Sequence, residues 1–154
     1  MNILTALKTL SDYEIKMAEL YGWYSELFAG DEKFSAFFNK MKLEEISHQN
    51  QIKFQQRLLL NRRGALPDLA VDEEEVRRFI ETLARALAEP PKGIAEAIDM
   101  ACALETSLYQ RCHAQSLLKD EQGLAKLFTS LGSGDQKHLA DLKQLAASLG
   151  APHP

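Results

Sequence analysis

The chain has 154 residues, 45% of them apolar and 26% charged, enough for one globular domain, residues 1–154, with a buried core. Its formal net charge is −4 with both signs mixed along the chain, which excludes an overall basic footprint for nucleic acid. No apolar run approaches the roughly 20 residues of a membrane span, and the first residues lack a signal-peptide pattern, so a cytoplasmic protein without a membrane partner is expected.

Five helical stretches are predicted, and no strand pattern. The first runs from about Leu4 to Phe28, its apolar positions Leu7, Leu10, Met17, Tyr21, Tyr24 and Phe28 recurring at three- and four-residue steps until Ala29-Gly30-Asp31 breaks it. The second runs from about Glu32 to Asn61 on the stripe Phe34, Phe38, Met41, Ile52 and Leu59, and Arg62-Arg63-Gly64 with Pro67 stops it. A shorter helix is expected from Asp72 to Ala88. Its acidic start suits a helix N-terminus, and it reads as part of a long crossing connection rather than as a core helix. The third main helix spans about Lys92–Leu118 and the fourth about Glu121–Leu149. Cys102 and Cys112 both fall on the third, about 15 Å apart, too far for a disulfide.

Acids interrupt the four long stripes in register. Glu14 follows Leu10 by four positions, Glu45 follows Met41 by four, Glu105 follows Ala101 by four and Asp135 follows Leu131 by four. His48 and His138 each lie three residues beyond an acid, on the same helix face. Glu14 to Glu45 is 31 positions and Glu105 to Asp135 is 30, so the chain reads as two copies of one helical hairpin. Ionised carboxylates in a core must be paired or coordinate a metal, and four of them with two imidazoles suit two divalent cations. Blander readings compete. Glu19 or Glu26 could stand in for Glu14, and Glu44 for Glu45, though the stripe favours Glu45. Asp135, after Gly132-Ser133-Gly134, would also serve as the N-cap of a helix starting at Gln136. His113 reads as a surface group or an extra ligand, His153 as part of a Pro-rich tail, and Tyr21 and Tyr24 as core aromatics.

Glu14-Ile-Lys-Met-Ala-Glu-Leu-Tyr21 followed by Glu45-Ile-Ser-His48 resembles the first half of the rubrerythrin and ferritin-like di-iron family, and Glu105 with Asp135-Gln-Lys-His138 resembles the second half. The resemblance spans the chain, with Asp135 where the family has Glu and Cys112 where the counterpart of Tyr21 would stand. It implies an all-α, ferritin-like four-helix bundle of two helical hairpins, with a long crossover connection containing the short helix. It also implies two Fe ions, with Mn or a mixed Fe/Mn pair as alternatives. Glu45 and Asp135 would bridge them, Glu14 and Glu105 would be terminal ligands, and His48 and His138 would bind one ion each. Tyr21 would orient a ligand or supply an electron. Ile46 stands where a haem-binding relative has Met, so no haem is expected.

The function so implied is that of an oxidoreductase acting on peroxide or dioxygen, as a homodimer. With no Cys-x-x-Cys module in the chain, it would draw on an external electron donor. Iron oxidation for storage or detoxification would use the same residues in a shell-forming oligomer. A metal-free helical interaction module is the third reading.

Overall fold

The structure, a computed structural model, describes residues 1–115 and 121–150. It is all-helical, with five helices in chain order: α1 (Ile3–Leu27), α2 (Glu32–Leu60), α3 (Glu73–Ala88), α4 (Ile94–Gln115) and α5 (Gln122–Gly150). The side chains of Cys112 and His113, the expected last turn of the third main helix, and His153 lie outside the described residues. Among the described residues no helix is long and apolar enough to cross a membrane. The chain divides into two compact units, Met1–Leu87 and Ala88–Pro154.

In the first unit, α1 starts on Asn2, whose side-chain oxygen accepts from the Leu4 N–H at 2.8 Å, a cap worth about 1 kcal/mol. The turn into α2 is closed by the Asp31 N–H donating to the Phe28 carbonyl at 2.9 Å. Asp31 then caps α2 by accepting from the Phe34 N–H at 3.3 Å. Beside this turn the two helices are clasped by their serines. Ser25 Oγ donates to the Ser35 carbonyl at 2.8 Å and Ser35 Oγ donates to the Ser25 carbonyl at 2.9 Å. The core of the hairpin is apolar and aromatic: Leu7, Leu10, Met17, Tyr21 and Tyr24 from α1 meet Phe34, Phe38, Met41 and Ile52 from α2, all buried. α2 ends as expected, and Gly64, at φ 104°, takes the left-handed backbone that favours glycine.

The short helix departs from the expectation of a mere connection. Asp72 caps α3 by accepting from the Glu74 and Glu75 N–H groups at 3.0 and 3.2 Å. Phe79, Leu83 and Ala86 then form one stripe and are buried. The Phe79 ring lies 4.8 Å from the Tyr13 ring of α1. The reason is the period: three apolar residues at steps of four and three give a helix a face to bury, whatever the charge of its other side. The chain before α3 is also tied down, the Leu69 N–H donating to the Met1 carbonyl and the Met1 ammonium to the Leu69 carbonyl, each at 2.8 Å.

In the second unit, α4 buries Ala97, Ile98, Ala101, Leu104 and Leu108, and α5 buries Leu124, Leu127, Phe128, Leu131, Leu142 and Leu145. α5 runs unbroken through Gly132-Ser133-Gly134. Asp135 is therefore a residue of the helix interior and not the cap of a helix starting at Gln136.

Candidate metal centre

Within the first unit, the antiparallel course of α1 and α2 through their short turn sets Glu14 against the acid–histidine pair in the middle of α2. Glu14 and Glu45 are fully buried and His48 is 8% exposed. His48 Nδ1 lies 3.0 Å from Glu45 Oε2, one turn back on its own helix, and 3.6 Å from Glu14 Oε2 across the hairpin. One ligand atom from each of the three falls within 4.8 Å of the others. The acids that competed for these roles lie elsewhere. Glu19 and Glu26 are exposed, and Glu44 is half-buried with an oxygen 3.9 Å from Lys40 Nζ.

Within the second unit, Glu105 on α4 and Asp135 on α5 are fully buried, and His138 is 1% exposed. His138 Nδ1 lies 3.2 Å from Glu105 Oε1. Here the histidine faces the acid of the neighbouring helix. In the first unit it faces both acids. Asp135 sits one turn before His138, and both its carboxylate oxygens are buried, as are both of Glu14, Oε1 of Glu45 and Oε2 of Glu105.

These are groups that could hold a metal, and the physical case is one of charge. An ionised carboxylate in a low-dielectric interior needs a counter-charge. Among the described residues no Lys or Arg is itself buried. No cysteine among the described residues joins the four acids as a thiolate. Cys102, one turn before Glu105, is a free thiol, and burial, with the Asp99 carboxylate adding to it, pushes its pKa up.

Tyr21 lies two turns beyond Glu14 on α1. It is fully buried and its ring stacks on Phe38 at 6.0 Å between centroids, with Tyr24 edge-on to the same Phe38 at 5.3 Å. The seventh buried polar side chain, Ser11, was not singled out in the sequence. Its spacing of three residues before Glu14 was the available signal. Comparison with protein-family models, curated proteins and solved structures finds no match for the chain.

Proposed function

We propose that the two helical hairpins assemble as a ferritin-like four-helix bundle whose buried acid–histidine sets share two metal ions, and that the protein is an oxidoreductase acting on peroxide or dioxygen. One observation carries this reading. Among the described residues seven polar or charged side chains are buried, and six of them are Glu14, Glu45, His48, Glu105, Asp135 and His138. Two histidines, even if both were protonated, would offset half the charge of four carboxylates. Two divalent cations offset all of it.

The donor set fits such ions. Carboxylate oxygens with imidazole nitrogens suit iron or manganese, and one acid from each of two helices with an acid-x-x-His pair from each of the other two is a di-iron arrangement. Glu45 and Asp135 would each hold both ions, Glu14 and Glu105 one each, and His48 and His138 one each. When bound, a pair of redox-active ions supplies the two electrons that splitting an O–O bond requires. The chain's part is to hold each imidazole in place through the carboxylate facing its Nδ1. Tyr21, packed on Phe38, would orient a small ligand or pass on an electron from an external donor.

The test is metal content. The chain, stripped with a chelator, loaded anaerobically with Fe(II) and desalted, should retain two ions per chain, and fewer than about one overturns the reading. The loaded protein should then change its near-ultraviolet absorbance on adding peroxide or dioxygen, and the Glu45→Ala variant should not.

A further inference from the structure

The balanced charge of the whole chain conceals one segment of a single sign. Between Glu45 and Asp68 stand Lys53, Arg57, Arg62 and Arg63 and no acid, in a chain whose net charge is −4. The same segment holds three of the most exposed apolar side chains among the described residues: Phe54 and Leu58 at 51% and Leu60 at 68%. At 100° per residue, Lys53, Phe54, Arg57 and Leu58 fall within an arc of about 140°, on the side of α2 opposite the buried Ile52 and Leu59. Lys53, Arg57 and Arg63 make no ion pair among the described residues.

Single exposed apolar residues are ordinary. A cluster of them at one helix end, interleaved with cations of one sign, marks an interaction surface. Nucleic acid would match the cations but leave Phe54, Leu58 and Leu60 in water. A fluid anionic surface matches both, and it needs no cavity shaped to receive a convex helix end. We propose that the C-terminal end of α2 docks the protein on anionic lipid. Phe54, Leu58 and Leu60 enter the boundary between headgroups and acyl chains, and Lys53, Arg57, Arg62 and Arg63 lie against the lipid phosphates. The contact is peripheral and leaves the interior of the hairpin undisturbed.

Flotation of the full chain with vesicles tests it. Binding to phosphatidylcholine vesicles containing about a third phosphatidylserine should exceed binding to pure phosphatidylcholine by at least about tenfold at low salt. It should fall towards the neutral-vesicle value at about 0.5 M salt. The K53E/R57E variant should lose the preference and F54S/L58S should weaken it, both with unchanged helical circular dichroism, because all four positions are exposed. Equal binding to both vesicles overturns the proposal, as does a K53E/R57E variant that binds like the parent. A change of oligomeric state in F54S/L58S, read by light scattering, also overturns it and assigns the face to a second copy of the chain.

Discussion

Replacing Asp135 by Asn should move the stability of the metal-free and metal-loaded protein in opposite directions. Asp135 is fully buried with both carboxylate oxygens out of water, and Asn keeps the shape of the side chain while removing its charge. In the metal-free protein the substitution removes one of four buried acids, and desolvating an ion carries an effective penalty of up to several kcal/mol. A gain of about 1–2 kcal/mol is expected, a fraction of that penalty. For a chain of this size that raises Tm by roughly 2–8 °C. In the loaded protein the sign reverses. At a free metal concentration of 100 times Kd, binding adds about 2.7 kcal/mol. A ligand loss that weakens binding a hundredfold cuts this to about 0.4 kcal/mol. Thermal melts of parent and Asp135→Asn, each with chelator and with Mn(II), read both effects. If Asp135 were only a structural hydrogen-bonding residue, the variant would melt lower with chelator, and metal would raise both proteins equally. That result would refute the reasoning.

Further outcomes are expected. His48→Ala and His138→Ala should each reduce the retained metal from about two ions per chain towards one, measured by plasma mass spectrometry on desalted protein. Phe79→Ala should cost about 3–5 kcal/mol in urea unfolding, because the ring is buried against Tyr13. A helix that merely connected would lose far less. Cys102 has its pKa raised by burial, so at pH 8.5 a larger share of it stays neutral than in free cysteine. Its alkylation by iodoacetamide should lag behind the free thiol at that pH, and the lag should shrink as the pH climbs through the raised pKa. Asp31→Ala, which removes the α2 cap, should lower stability by about 1 kcal/mol in the same urea assay.

How far the sequence can be read differs from residue to residue, and the differences have causes. Glu45 could be separated from Glu44 because Phe38, Met41 and Ile52 mark the buried face, and one residue along a helix turns through about 100°. Glu14 and Glu105 were legible on the same ground. Asp135 was placed by the same spacing but less firmly, because Gly-Ser-Gly-Asp also satisfies the rule for a helix start. Only the unbroken course of α5 and the burial of Asp135 separate the two. The helix of residues 73–88 was visible in its caps and period, but its share of the core was hidden by a composition rich in Glu and Arg. The cations of residues 53–63 disappeared into a net charge that averages over the whole chain. The pairing of His138 with Glu105, where His48 faces both acids of its hairpin, depends on side-chain torsions that no spacing encodes.

The two glycines that α5 carries just before Asp135 have a consequence for how the protein moves. Each makes its turn weaker by roughly 0.5–1 kcal/mol relative to alanine, so Gly132–Gly134 is a weakened stretch in the interior of α5. A local free energy lower by about 1–2 kcal/mol makes the open form roughly 5–30 times more populated. Amide hydrogens there should exchange with solvent well before those of Leu142 and Leu145 on the same helix. Asp135 thus sits next to a weak turn in an otherwise firmly packed rod, and a side chain buried at that point can reach solvent by a brief local fluctuation, without the helical hairpin coming apart.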